Sequence, residues 1–227
     1  MDITIRNAKP EDAEKCGAIC FEAFTTISNS HNFPPDFPSV EQTIGLLSHT
    51  FSRVDLYTTV AEIDGEIVGS NVFWENGEIV GVGPITIDPK VQKKSIGKAL
   101  MEDGLKRAKS KGFESVRLVQ ATFNNMSLAL YSKLGFNVQE PLSAINGPAL
   151  NITFPGYKVR SANIDDIEAC NELCIKVHGH HRKGDLSDAI HLETATVVER
   201  NGQVTGYATQ IGFFGHAVAE TNDDLKA

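Results

Sequence analysis

The sequence lacks the features by which membrane proteins and secreted proteins are usually recognised. It has no apolar run that approaches the length of a membrane span, and its first residues lack the basic and then apolar layout of a signal peptide. Basic residues are also few, since 21 Lys and Arg stand against 29 Asp and Glu, a net charge of −8. We therefore expect a cytoplasmic protein whose partners include neither nucleic acid nor membrane.

Cysteine is scarce and forms two i, i+4 pairs, Cys16 with Cys20 and Cys170 with Cys174. A disulfide framework is disfavoured in a chain without a secretion signal. Cys170-x3-Cys174-x3-His178, together with His180 and His181, could imitate a metal cluster, but the spacing is not that of a zinc loop. We predict small buried core thiols and no metal site.

The stretch from residue 80 to residue 112 reads as a buried strand, a tight turn and a helix. Gly81, Gly83 and Pro84 interrupt the apolar residues of the strand, which predicts a bend or bulge. A strand that splays from its neighbour in this way opens a slot. The pair Asp88-Pro89 ends the strand, and the apolar spacing predicts a helix that begins near Ser95 to Gly97.

The turn between strand and helix has the sequence QKKSIGKA, residues 92–99. Small residues and lysines at a helix N-terminus suit an approaching pyrophosphate, because the first N–H groups are unpaired and carry partial positive charge. A capped amphipathic helix with solvated lysines is the alternative. A nucleotide P-loop fits poorly, since Gln92 stands where it needs glycine, and no GxGxxG occurs.

Two motifs in this region resemble those of the GNAT N-acetyltransferases. Residues 85–89 followed by Gln92-x-x-Ser95-x-Gly97 resemble the family's acetyl-CoA signature, Q/R-x-x-G-x-G/A after the fourth strand. Residues 124–136, NNMSLALYSKLGF, are similar to the second signature, N-x-x-A/S-x-x-L-Y-x-K-x-G-F. A strand candidate at 115–119 lies between the two motifs. The chain departs from the pattern at Ser95, where the family has glycine.

The resemblance implies an α/β fold in which helices flank a mixed, mostly antiparallel sheet. It also implies acetyl-CoA as cosubstrate, without a metal, and an amine-bearing small molecule or protein as acceptor. Tyr131 is implied as the general acid beside the departing thiol. The coenzyme-binding residues implied are Ile85, Thr86, Ile87, Gln92, Lys93, Lys94, Ser95, Ile96, Gly97, Lys98, Ala99, Asn124 and Tyr131.

A general base is not evident from the sequence. Glu75, Glu78 and His31 lie in plausible segments. Acidic residues at a hairpin tip are usually solvated, however, and a water relay is an alternative.

The elements before this stretch are readable from local patterns. We predict a strand at 3–6, a helix from Pro10 to Phe24, and a loop over 25–38, which in the resemblance lies over the acceptor side of the cleft. A helix at 40–50 and strands at 57–63 and 67–74 follow. Asp64-Gly65 and Asn76-Gly77 predict hairpins.

The chain also repeats itself. Arg6, Asp12, Cys16 and Cys20 recur in order as Arg160, Asp166, Cys170 and Cys174, and Glu62-x-x-Gly65-x-x-x-Gly69 recurs as Glu199-x-x-Gly202-x-x-x-Gly206. We infer a duplicated acetyltransferase unit, with domains at 1–140 and 157–227 and a linker at 141–156. The second copy ends before a phosphate turn, so we expect it to bind no coenzyme. Its open strand edges favour a second chain as partner in a homodimer.

Three functions compete at this stage. The first is an acetyl-CoA-dependent N-acetyltransferase with direct transfer to an amine. The others are a non-catalytic acyl-CoA-binding regulatory module and an interaction protein that uses no coenzyme.

Overall fold

The computed structural model describes residues 2–92, 94–143, 147–148, 152–212 and 215–227. The chain divides into two compact units, Met1–Gln139 and Glu140–Ala227. In the part of the chain that is described, no helix is both long and apolar enough to cross a membrane.

The first unit is built on a five-stranded sheet with the order β1-β2-β3-β4-β5. Neighbouring strands are antiparallel except β4 and β5, which are parallel. The strands are β1 (Ile3–Asn7), β2 (Tyr57–Ile63), β3 (Glu66–Trp74), β4 (Ile79–Ile87) and β5 (Ser115–Arg117). The predicted mixed, mostly antiparallel sheet is therefore confirmed.

Helices cover both faces of this sheet, because each sheet face carries its own set of apolar side chains. The helices are α1 (Ala13–Ser30), α2 (Val40–Ser52), α3 (Ile96–Ser110) and α4 (Asn125–Lys133). On one face α1 and α2 bury a core around Cys16, Leu47 and Val72. On the other face α3 packs on β1 to β4 through Ile96 and Leu100.

A glycine sets how closely α3 approaches the sheet. Gly104 lies against the buried ring of Phe73, and a Cβ at this position would overlap that ring. The Phe73 ring therefore fills the space that a side chain at position 104 would need. Helix α3 lies closer to β3 than it could with alanine at this position.

Local turn chemistry was predicted well at one hairpin. Asp64 and Gly65 have φ of 52° and 83°, as a two-residue turn between β2 and β3 requires. The connection from β3 to β4 spans residues 75–78 and is longer than a two-residue turn.

The predicted loop at 25–38 was too long. Helix α1 continues to Ser30 rather than ending near Phe24. Its last turns hold buried Ser28, so packing overrides the weak helix propensity of the Thr and Ser residues there. The predicted strand at 115–119 is likewise shorter, since β5 ends at Arg117.

The second unit contains a four-stranded antiparallel sheet with the order β6-β7-β8-β9. Its elements are β6 (Tyr157–Ser161), α5 (Ile167–His178), α6 (Lys183–His191), β7 (Thr196–Arg200), β8 (Gln203–Ala208), β9 (Ala217–Ala219) and α7 (Asn222–Lys226). Helices α5 and α6 bury one core with the sheet, centred on Cys174, Leu186 and Val197.

Several local contacts of the first unit recur in the second. Arg6 pairs with Asp12 and Glu62, both at 2.7 Å, and Arg160 pairs with Asp166 at 2.7 Å and Glu199 at 2.6 Å. The β2–β3 register shifts between Ala61 and Glu62, and the β7–β8 register shifts between Val198 and Glu199. Both units begin with the same order of elements, which is a strand, a 3₁₀ turn, two helices and a hairpin.

All four cysteines are free and buried, which confirms them as core thiols. Burial raises the pKa of Cys16, Cys20 and Cys170 to about 12, so these thiols are protonated and unreactive at neutral pH. Among the described residues, no three His, Cys, Asp or Glu side chains are arranged to hold a metal ion.

Candidate acetyl-transfer site

Strand β4 separates from β5 after a short pairing. Ile79, Val80 and Gly81 pair with β5, whereas β4 itself continues to Ile87 along β3. Within the described residues, no strand pairs with the second edge of β4 from Val82 to Ile87. The splayed slot that the sequence predicts is therefore present as an open strand edge.

The bulge that the sequence predicts lies within this part of β4. The β3–β4 register shifts between Asn71 and Phe73, opposite Gly83 and Pro84. Gly83 has φ of 133°, and its carbonyl accepts a hydrogen bond of 2.6 Å from Nε1 of Trp74. Glycine thus allows a backbone conformation that other residues rarely adopt, and Trp74 fixes it.

The register of β3 and β4 decides which backbone groups face the open edge. The N–H of Asp88 donates to the carbonyl of Val68 at 2.9 Å, so Asp88 and Thr86 face β3. Backbone groups alternate along a strand, and those of Ile85 and Ile87 therefore face the open edge. In agreement, Nε2 of Gln92 donates to the carbonyl of Ile87 at 3.3 Å.

Thr86 differs from its two neighbours, because its side chain is only 3% exposed and its hydroxyl has no hydrogen-bond partner among the described residues. Its role in the strand is therefore to pack beneath α1 rather than to present a side chain at the edge.

Helix α3 begins where the sequence predicts, at Ile96. Ser95 precedes it with φ of 63° and ψ of 11°, the left-handed conformation. Glycine adopts this conformation without strain, which is the physical reason for glycine at this position of the signature. Serine keeps the same turn, and the first N–H groups of α3 remain unpaired within the helix.

The side chains of this turn divide into buried and exposed ones. Ile96 is buried and Ala99 is partly buried, while Lys94, Ser95 and Lys98 are exposed. Lys98 lies 3.4 Å from Glu102 on the next turn. Lys93, which the sequence also assigns to the site, lies outside the described residues.

Gly97 packs closely against two neighbouring elements. A Cβ at this position would lie 3.1 Å from Cδ1 of Ile87 and 3.4 Å from Cδ2 of Leu130. A side chain at this position would therefore crowd β4 and α4. Gly97 therefore brings β4, α3 and α4 together, and a substitution there disturbs packing as well as any ligand.

Helix α4 carries the second motif. Oδ1 of Asn124 accepts a hydrogen bond of 3.2 Å from the N–H of Ser127 and caps the helix. At the other end the N–H of Phe136 donates to Tyr131 and that of Gly135 donates to Ser132, at 3.0 and 3.2 Å. Gly135 has φ of 93°, so Gly-Phe ends the helix in a Schellman motif.

Tyr131 is 8% exposed and packs edge-on against Phe136, with ring centroids 5.9 Å apart. Burial raises its pKa to about 12. The phenol is therefore protonated at neutral pH, since burial disfavours its charged form.

Glu75 is not the solvated residue that its hairpin position suggested. Its side chain is 4% exposed and accepts hydrogen bonds of 2.8 Å from Arg107 and 2.9 Å from Lys111. Burial opposes its ionisation, but these two cations outweigh burial and keep its pKa below the usual value. A carboxylate held in this way is a poor base, so Glu75 is withdrawn as a candidate.

His31 lies on the segment after α1, where its ring stacks on Phe123 at 5.1 Å. Phe33 stacks on the same ring at 4.4 Å. Sequence reasoning missed both phenylalanines, although an aromatic such as Phe33 in a stretch rich in Ser, Asn and Pro is a signal that could have indicated it.

A comparison with protein-family models matches residues 22–136 to the acetyltransferase (GNAT) family, just over half of the chain. The chain belongs to the GNAT acetyltransferase family. The predicted membership of this family is thereby confirmed. A comparison with curated proteins found no significant match.

Solved GNAT-like structures resemble the chain in fold. The PaiA N-acetyltransferase from Thermoplasma acidophilum, in complex with coenzyme A, is 21% identical over 62% of this chain and 93% of its own, with a TM-score of 0.51. AAC(6')-Iy, in complex with the bisubstrate analogue CoA-S-monomethyl-acetylneamine, is 14% identical over 66% of this chain and 100% of its own, with a TM-score of 0.53. At these identities the likeness establishes the GNAT fold.

Proposed function

We propose that this GNAT protein is an acetyl-CoA-dependent N-acetyltransferase that transfers the acetyl group directly to a primary amine of a small molecule or protein. The observation that carries the proposal is the open edge of β4. It runs from Val82 to Ile87 beside the first turn of α3, and Gly97 joins both elements to α4.

The coenzyme lies along this edge in our proposal. Backbone groups of Ile85 and Ile87 bind the pantetheine arm and the acetyl carbonyl, since they face the open side of β4. The pyrophosphate lies on the unpaired N–H groups of the 92–99 turn, with Lys94 and Lys98 nearby. The amide nitrogen of Asn124 donates to the coenzyme arm, because the amide oxygen already caps α4.

Tyr131 acts as the general acid. Its pKa of about 12 keeps the phenol protonated throughout the working pH range. A thiol has a pKa of about 8.5, so full proton transfer to the thiolate is uphill by roughly 5 kcal/mol before coenzyme changes the surroundings. We therefore assign Tyr131 a hydrogen bond to the developing thiolate. As the C–S bond breaks, Tyr131 gives its proton to the sulfur, and water carries the proton that the amine nitrogen loses back to Tyr131, so the phenol is restored. Glu75 does not act as the base, because its carboxylate is paired with Arg107 and Lys111.

A coenzyme-binding module without turnover is the second candidate. The burial of Tyr131 favours it, because a phenol that is 8% exposed gives an acceptor little access. Release of thiol from acetyl-CoA, followed across a panel of amines, separates the two candidates. Amine-dependent release supports the transferase, whereas coenzyme binding without release supports the module.

The second unit is a duplicated copy of the first in our proposal. The recurrent Arg–Asp–Glu ion pairs and the recurrent register shift support it. Coenzyme binds once per chain, in the first unit. After β9 the second unit presents Glu220 and Asp224, which are paired with Arg200, and Asp224 is buried.

A further inference from the structure

The segment between β5 and α4 is tied to the first turn of α4 by a side-chain hydrogen bond. Oγ of Ser127 donates to Oε1 of Gln120 at 2.6 Å and lies 3.0 Å from the carbonyl oxygen of Asn124. A serine hydroxyl carries a single hydrogen, and its shorter contact here is the one with Gln120. This bond closes a loop of residues 120–127, and the loop contains Asn124.

The loop starts just beyond the point where β4 and β5 separate. The parallel pairing of these strands ends at Gly81 and Arg117. If the pairing continued in the same register, Gln120 would lie opposite Pro84. Gln120 is therefore on the segment that leads from the splayed end of β5 to Asn124.

The backbone of Asn124 turns sharply inside this loop. Asn124 has φ of −84° and ψ of 77°, and the N–H of Asn125 donates to the carbonyl of Phe123 at 3.0 Å. These values describe an inverse γ-turn. The turn lies between Gln120 and Ser127, so the hydrogen bond that joins their side chains closes the loop around it.

Ser127 also orients the side chain of Asn124. Its N–H donates to Oδ1 of Asn124 at 3.2 Å, which leaves the amide nitrogen of Asn124 to point away from the helix. The main chain of Ser127 thus holds the amide of Asn124, while its hydroxyl is held by Gln120. Gln120 therefore reaches Asn124 through Ser127.

We propose that Gln120 is a positioning residue for the coenzyme, because through Ser127 it holds the amide nitrogen of Asn124 toward the pantetheine arm. This inference rests on the proposed function, since it concerns the coenzyme of the same site. A group that is already ordered binds its ligand without a further loss of conformational entropy. The benefit is confined to ligands that carry the arm.

The test is a calorimetric titration of the full chain with two ligands. Coenzyme A carries the pantetheine arm, whereas adenosine 3′,5′-bisphosphate has the nucleotide end and no arm. Gln120→Leu should raise the Kd for coenzyme A by about three- to tenfold, the usual worth of one hydrogen bond. The Kd for adenosine 3′,5′-bisphosphate should not change. A general loosening of the fold would weaken both ligands.

Two further variants test the path from Gln120 to Asn124. Ser127→Ala should weaken coenzyme A as Gln120→Leu does, and the double variant should be no weaker than the weaker single one, since both remove the same bond. Gln120→Glu keeps an acceptor oxygen for the Ser127 hydroxyl and should restore affinity for coenzyme A.

Gln42→Leu is the matched control, because Gln42 is an exposed glutamine on α2 of the same unit. It should leave the Kd of both ligands unaffected. In the thiol-release assay, Gln120→Leu should raise the KM for acetyl-CoA with little change in kcat, because the arm is bound equally before and during transfer.

The proposal is overturned if Gln120→Leu leaves the affinity for coenzyme A unchanged or weakens both ligands alike. It is also overturned if Gln120→Glu is as weak as Gln120→Leu, since the amide nitrogen of Gln120 would then be the group that matters. Coenzyme binding that depends on Gln120, without thiol release to any amine, would contradict the transferase and retain the positioning role. Normal thiol release with no effect of Gln120→Leu would contradict the positioning role alone.

Discussion

Replacing Ser95 tests whether the turn before α3 is held in a left-handed conformation. Ser95 has φ of 63°, a conformation that costs an L-residue roughly 1 to 2 kcal/mol relative to a right-handed one. Ser95→Gly removes this cost. Glycine, however, loses more backbone conformational entropy on folding, which costs about 0.5 to 1 kcal/mol. The difference predicts that Ser95→Gly is as stable as the wild type or more stable by about 1 kcal/mol.

Ser95→Val should have the opposite effect. A β-branched residue in the left-handed region is strained, so we expect a loss of about 1 kcal/mol or more and weaker binding of coenzyme A. Urea unfolding and calorimetric titration measure the two effects. A change of 1 kcal/mol corresponds to a shift of roughly 2 to 4 °C in Tm for a chain of this size.

Asp64→Gly is the matched control, because Asp64 also has a positive φ, 52°, in the turn between β2 and β3. Aspartate tolerates this conformation better than most residues, so its replacement should stabilise less than Ser95→Gly and leave coenzyme affinity unchanged. The reasoning is refuted if Ser95→Gly destabilises the protein, or if Ser95→Val matches the wild type in both measurements.

Three other predictions follow from packing and charge. Tyr131→Phe should lower turnover by ~10² to 10⁴ where proton delivery limits the rate. The wild-type rate should show no alkaline loss from this group below about pH 11, because the pKa of Tyr131 is about 12. A fall in rate near pH 10 would contradict this. Gly104→Ala should cost about 1 to 3 kcal/mol, since its Cβ meets the Phe73 ring, and Phe73→Leu should relieve the loss in a double-mutant cycle measured by urea unfolding. Burial and nearby Arg182 lower the pKa of His216 to about 4, whereas unfolding restores its ordinary value. The free energy of unfolding should therefore decrease by up to about 3 kcal/mol as the pH falls from about 6.5 to 4. His216→Gln should reduce this pH dependence in acid unfolding.

Much of the first unit could be predicted because its signals are local. Asp64-Gly65 defines a hairpin by its own backbone preferences, and the glycines and proline of β4 define its bulge. The start of α3 followed from a strand that had to end at Asp88-Pro89.

The errors have a common cause, which is packing between elements distant in sequence. Nothing near Glu75 in the sequence indicates that Arg107 and Lys111, at the end of α3, pair with its carboxylate. The burial of Tyr131, the contact of Gly97 with Ile87 and Leu130, and the stack of Phe33 on Phe123 likewise depend on tertiary approach. Local patterns fix which residues can form a site, whereas their environments are set by the assembled fold.

Calorimetric titration of the full chain with acetyl-CoA tests the central claim most directly, because the proposed site combines the open edge of β4 with the turn before α3. We predict one site per chain, weakened by Ser95→Val. The absence of binding, or two equivalent sites per chain, would contradict the account.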